Sequence, residues 1–364
     1  MTLAKHLPSI QCLRAIAAIM VVYHHARDRL PRFSEAFPSP IGQAGVDLFF
    51  VISGFIMVAT TWSRPVRPSA FLLRRVTRIV PVYWFYTTIL AVFVLAFPTA
   101  FELKITFPHY VLSLLFIPHA NPVDQSISPL LQPGWTLEYE MFFYVVFAIT
   151  LLSLSACRVL VATLALIGLV VTGLVFKPTG LVLLSYTSPL MLEFGLGIVI
   201  GYLHCINALD GLSSAIGWCI MVTGAAFAVA ATAFILPSRP LFDFGDAPIR
   251  VSTYGLAATF VVIGALVVGS KRRSARTSRA LVPLMLVGDA SYSLYLTHLF
   301  SLDMLRSGWI KLGFGTEGKD WTFLFVATAL FASIGIGVWA YFLLERPMMR
   351  ATQRTLRADR SVLP

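Results

Sequence analysis

Long apolar runs, interrupted by short polar and basic stretches, recur along the chain from residue 9 to residue 345. About twenty apolar residues in helical conformation cross a hydrocarbon core. Runs of that length lie near 9–28, 41–62, 78–98, 134–154, 158–176, 181–204, 212–236, 249–270, 283–305 and 321–345. The pattern predicts an all-α, polytopic integral membrane protein with about ten transmembrane helices. A further apolar run at 108–118, between Pro108 and Pro118, has roughly half the length needed. It is expected to be a re-entrant or interfacial helix within an external loop.

The basic residues orient the pattern. They concentrate in Arg64 to Arg78, Lys271 to Arg279 and Arg346 to Arg360. With ten spans, and with 108–118 not crossing, all three groups fall on the side of the N-terminus. Lysine and arginine accumulate in cytoplasmic loops, so both termini are expected in the cytoplasm. One membrane domain, residues 1–346, is expected, followed by a basic cytoplasmic tail, 347–364, frayed or lying along anionic headgroups.

Composition agrees. Of 364 residues, 57% are hydrophobic and 12% charged, too few charges for a soluble globular protein. The net charge of +11 would suggest nucleic acid in a soluble chain, but cytoplasmic loops account for it here, and no nucleic-acid partner is expected. Cys12, Cys157, Cys205 and Cys219 stand singly, without the spacing of a zinc site or a disulfide framework, and no metal is expected. The first apolar run lacks the layout of a cleavable signal and is expected to remain.

Ionisable residues inside such helices are costly and mark polar interiors. The first helix carries Arg14, His24 and His25. Arg14 and His25 are eleven residues apart, which puts them within about 20° of one face and about 16 Å apart along the axis. On the predicted topology His25, Asp47, Glu140 and His298 all fall in the outer half of the membrane, as if lining one cavity. An imidazole with neighbouring carboxylates suits general-base catalysis on a hydroxyl. Asp47 could equally cap the second helix. Glu193 is a candidate partner for Arg14, and His298 could bond through Tyr292 or Tyr295. Arg74, Arg75 and Arg78 share a helix face. Such a cluster binds phosphates or, more plainly, anchors the helix at lipid phosphates. His109 and His119 flank the short run, and Trp135 could stack on a sugar ring or belong to the interfacial belt.

The spacing of Arg14 and His25 within LRAIAAIMVVYHH resembles the membrane-bound acyltransferase family 3. So do GVDLFFVISGFIM (45–57), RRVTRIVPVYW (74–84), WTLEYEMFFY (135–144), GDASYSLYLTH (288–298) and LERP (344–347), in that order. The resemblance covers nearly the whole chain and is nearest the bacterial exopolysaccharide O-acetyltransferases of succinoglycan or xanthan type. It implies the family's fold, a bacterial inner-membrane location, and an acetyl-CoA-dependent O-acyltransferase acting on a polysaccharide or lipid-linked oligosaccharide. It also implies His25 as the catalytic histidine, Arg14 as its helix partner, Arg74, Arg75 and Arg78 on the acyl-CoA side, and Glu140 as the family's acidic position. The sequence departs from the family at Thr136, usually Ser, and at Glu138-Tyr139, usually Ser-Val. A polysaccharide or lipid-linked sugar transporter is the alternative from another class.

Overall fold

The computed structural model describes residues 7–27, 29, 40–63, 66–97, 103–235, 246–271, 279–314 and 319–358. Arg64, the basic run at 272–278 and the tail beyond Ala358 lie outside the described residues. In chain order the helices are α1 (Pro8–Arg27), α2 (Ala44–Thr61), α3 (Pro68–Ala96), α4 (Phe107–Leu114), α5 (Gly134–Thr150), α6 (Ser155–Phe176) and α7 (Leu181–Tyr186). There follow α8 (Met191–Cys205), α9 (Ser214–Phe234), α10 (Ala247–Arg250), α11 (Leu256–Lys271), α12 (Val282–Asp289), α13 (Ser291–Lys311), α14 (Lys319–Ala340) and α15 (Arg346–Ala358). Wider π-helical turns link α10 to α11 at Val251–Gly255 and α14 to α15 at Tyr341–Glu345.

Among the described residues, seven helical stretches are long and apolar enough to cross a membrane, or eight if the pair α12–α13, bent by 69°, is one span. This is a multi-pass membrane protein. Two of the ten predicted spans fall short of that criterion: α1, whose Gln11, Arg14, His24 and His25 dilute its apolar run, and α5, which has only 17 residues. The tail forms a helix to Ala358, with Arg346, Arg350, Arg354 and Arg357 at successive turns.

The chain forms two compact units. The first comprises Met1–Thr60 and Glu193–Tyr341. Ile10, Leu13 and Ala17 of α1 pack with Val51, Ile52 and Phe55 of α2, Ile200 of α8 and Val262 and Leu266 of α11. Helices α2 and α8 touch backbone to backbone: a Cβ on Gly54 would lie 2.1 Å from Phe194 O, and one on Gly197 2.1 Å from Val51 O. Close approach of small residues is how helices associate where lipid offers no hydrophobic drive.

The second unit comprises Thr61–Leu192 and Phe342–Pro364. Its core packs Phe71 of α3 edge-on to Tyr144 and tilted against Phe147 of α5, at 6.2 and 5.5 Å between ring centroids. The short run after Pro108 becomes α4, capped by Thr106, whose side chain accepts from His109 N. It follows α3 inward. Tyr110 Oη meets Thr88 Oγ1 at 2.9 Å, Trp84 Nε1 donates to Leu114 O at 2.8 Å, and Phe116 lies 4.7 Å from the Tyr83 ring. From Phe97 back to Tyr83 is about 21 Å of helix, so the segment reaches the middle of α3. There α5 begins, with Gly134 against the Tyr83 hydroxyl.

Candidate active site

The first unit holds the candidate base. His25 ends α1, half-buried, with the His24 and His298 rings each 5.1 Å away between centroids. His298 is fully buried in α13, and its Nδ1 meets Tyr295 O at 2.7 Å. A carbonyl only accepts, so Nδ1 carries a proton and a neutral His298 presents a lone pair at Nε2. That Nε2 is buried and has no hydrogen-bond partner. Sequence spacing allowed a bond to Tyr292 or Tyr295; the structure uses the backbone of Tyr295. One turn beyond His25, Arg29 pairs with Asp303 at 3.2 Å, both partly exposed.

Arg14 sits three turns from His25 and fastens the bend between α12 and α13. Its Nη1 donates to Gln11 Oε1 at 3.0 Å and its Nη2 to Ser291 Oγ at 2.8 Å. Gln11 Nε2 in turn donates to Asp289 Oδ1 at 2.8 Å. A helix break exposes backbone groups that lipid cannot satisfy, so polar side chains gather there. Gly288 permits the approach: a Cβ there would lie 2.1 Å from Gln11 O.

Asp47, in the first turn of α2, puts both carboxylate oxygens on Arg250, whose Nε and Nη2 donate at 2.9 Å each. Arg250 Nη2 also reaches Gln43 O at 3.3 Å. The pair is buried, with side chains 0% and 3% exposed. Glu193 stands beside Asp47 and Arg250, its carboxyl filling the space left by Gly255. Arg250 escaped the sequence reading, although an arginine in the first turn of an apolar span demands an anionic partner.

The second unit holds the arginines. Arg75 lies over the Phe71 and Tyr144 rings, 5.4 and 5.7 Å from their centroids. Glu140 accepts a very short hydrogen bond from Tyr144 Oη, and Arg78 and Glu140 complete the charged surroundings of Arg75. Arg74 points elsewhere, exposed, its Nε bonded to Ala70 O at 3.0 Å. The topology drawn from sequence sets Glu140 in the half of the membrane opposite these arginines. The structure instead places it beside Arg75, because α5 starts at the middle of α3 and runs back toward the α3 N-terminus. Trp135 is half-buried, edge-on to Tyr139 at 5.9 Å. Among the described residues no three His, Cys, Asp or Glu side chains are grouped as metal ligands.

The family model for the acyltransferase domain matches residues 7–343. The chain is 36% identical over 312 residues to the exopolysaccharide production protein ExoZ of Rhizobium meliloti (strain 1021), covering 85% of this chain and 90% of that protein. It is 27% identical over 335 residues to the O-acetyltransferase OatA of Staphylococcus aureus (strain NCTC 8325 / PS 47), covering 84% of this chain and 52% of that one. A 94-residue stretch is 32% identical to the peptidoglycan O-acetyltransferase OatA of Listeria monocytogenes, covering 24% of this chain and 14% of that protein. No solved structure matches.

Proposed function

Because the chain belongs to the acyltransferase family 3, we propose that it moves an acetyl group from cytoplasmic acetyl-CoA to a hydroxyl of an exopolysaccharide or its lipid-linked repeat unit. The relatives named for exopolysaccharide production and O-acetyl transfer support that acceptor and that group. The protein then resides in a bacterial inner membrane with both termini cytoplasmic, and the acetyl donor meets the arginines from that side.

His25 is the general base. It takes the hydroxyl proton while the oxygen attacks the thioester carbonyl, the C–S bond breaks, and coenzyme A leaves as thiolate and recovers the proton from the imidazolium. The alternative route passes the acetyl through an acyl-imidazole on His25 itself. His298 orients the His25 ring and Arg14 fixes the helix that carries it. Arg75 and Arg78 hold donor phosphates through charge-assisted hydrogen bonds, with Arg74 at the rim and Glu140 positioning Arg75. Asp47 acts at a distance, tying α2 to Arg250. Trp135 is assigned to the acceptor.

The observation that carries this reading is the contact of His25 with His298, one buried imidazole locked in its tautomer against another at the end of α1. The test is transfer of labelled acetyl from acetyl-CoA to lipid-linked oligosaccharide by purified protein, with His25→Ala alongside. Label on the glycan with the native protein alone is the expected result. Substantial turnover by folded His25→Ala removes His25 from the reaction. Label trapped on the native protein before glycan is added selects the acyl-imidazole route.

A further inference from the structure

Three buried oxygens inside the second unit are not used by the mechanism above. Tyr83 and Thr87 lie one turn apart on α3, both fully buried, and Glu138 of α5 is 1% exposed. Gly134 and Glu138 are likewise one turn apart on α5, and Gly134 lies against Tyr83 Oη. Tyr83 is therefore an electrostatic neighbour of Glu138. Tyr83 Oη, Thr87 Oγ1 and Glu138 Oε1 are buried without a hydrogen-bond partner other than the approach of Thr87 to Tyr83. Buried oxygens are normally bonded, and three together in one place ask for an occupant.

The surroundings define the space. Phe116, held at a positive φ of 56°, covers the Tyr83 ring, and its carbonyl accepts from Tyr186 Oη at 3.0 Å. Tyr186 is stacked flat on Phe142 at 4.0 Å, one turn beyond Glu138. Phe116, Tyr186 and Phe142 thus set aromatic rings beside Tyr83 and one turn from Glu138. Among the described residues Glu138 has no ion-pair partner. Aromatic walls with two hydroxyls and one carboxyl suit an uncharged group that both donates and accepts, as a secondary amide does.

Position along α3 selects the source of that amide. Tyr83 and Thr87 are five and nine residues beyond Arg78, about 8 and 14 Å along the axis. A donor whose diphosphate is held at Arg75 and Arg78 extends an amide-bearing pantetheine arm over that distance. We propose that Tyr83, Thr87 and Glu138 form the subsite that holds a pantetheine amide of the acyl donor, an inference that rests on the acyl-CoA reading above.

The test is equilibrium binding to the purified full chain of coenzyme A and of 3′-phosphoadenosine 5′-diphosphate, which has the phosphates without the arm. Tyr83→Phe, Thr87→Val and Glu138→Gln are each expected to weaken coenzyme A binding on the order of tenfold, the scale of one lost hydrogen bond. Affinity for the arm-less nucleotide stays unchanged. Tyr83→Phe and Thr87→Val nearly conserve volume, so they carry the test where Glu138→Gln fails to fold. Unchanged coenzyme A affinity in all three overturns the proposal, as does equal weakening of both probes. Native protein that binds the arm-less nucleotide as tightly as coenzyme A sinks the subsite and leaves the donor reading intact. Native protein that binds neither removes the donor reading, and the subsite with it.

Discussion

The imidazoles of His25 and His298, from the first helix and the thirteenth, approach to 5.1 Å between centroids, and the proton on His298 Nδ1 is fixed by Tyr295 O at 2.7 Å. His298 Nε2, buried without a hydrogen-bond partner, is then available only as an acceptor, which suits the imidazolium that forms on His25 on turnover. Removing the proposed base, His25→Ala, is expected to cost at least the ~10²–10⁴-fold of general-base catalysis. His298→Phe keeps the aromatic packing and loses the acceptor. It is expected to lower kcat by roughly tenfold with little change in KM, since an orienting contact is smaller than the base itself. Steady-state kinetics of acetyl transfer, with KM and kcat separated, decides it. An unchanged kcat makes His298 a packing residue only.

The buried pair of Asp47 and Arg250 makes a prediction about stability. A buried bidentate pair is costly to break from one side, because the remaining charge is left without a partner. Arg250→Met leaves Asp47 beside Glu193 and is expected to destabilise by about 3–5 kcal/mol. The double variant Asp47→Leu/Arg250→Met is expected to recover much of that loss. Thermal unfolding of the four proteins in one detergent closes the cycle. Additive losses in the double variant contradict the pairing.

Much of this architecture was legible in the sequence, for reasons that differ from residue to residue. Apolar runs predict the helices because lipid admits little else, and the Arg14–His25 stripe followed from helical periodicity alone. The short run after Pro108 was recognisable as too short to cross. Its consequence was not: because α4 carries the chain to the middle of α3, α5 starts there, and Glu140 comes to Arg75. No periodicity encodes how deep a loop descends. Long-range partners were equally hidden. Asp47 near a helix start has two ordinary readings, capping and orientation, and the Arg250 that engages it lies 203 residues further along the chain. Glu138 stood out only as a departure from the family pattern, and only the packing of Tyr83 on Gly134 shows what it faces.

The segment between α3 and α5 contains a second histidine pair that makes a prediction about stability. His119 Nδ1 donates to Ile117 O at 2.7 Å, so its Nε2 accepts from His109 Nδ1 at 2.8 Å. Truncating either ring leaves a buried nitrogen of the other without its partner, so His109→Ala and His119→Ala are each expected to destabilise by about 1–3 kcal/mol. Thermal unfolding of both variants and of the double variant in one detergent tests it, and strictly additive losses refute the pairing.

The three arginines of α3 are not equivalent, and this separates phosphate binding from lipid anchoring. Arg75 is fixed over two aromatic rings and beside Glu140, whereas Arg74 is exposed and bonded to its own helix. A lipid-anchoring role asks only for positive charge near headgroups, so lysine serves at either position. Phosphate held by an oriented guanidinium asks for its planar fork, which lysine lacks. Arg75→Lys is therefore expected to raise KM for acetyl-CoA on the order of tenfold with a nearly unchanged melting temperature, while Arg74→Lys leaves KM within about twofold. Kinetics at saturating acceptor, with acetyl-CoA varied, measures both. Equal KM values for the two lysine variants and the native protein return the cluster to its anchoring role.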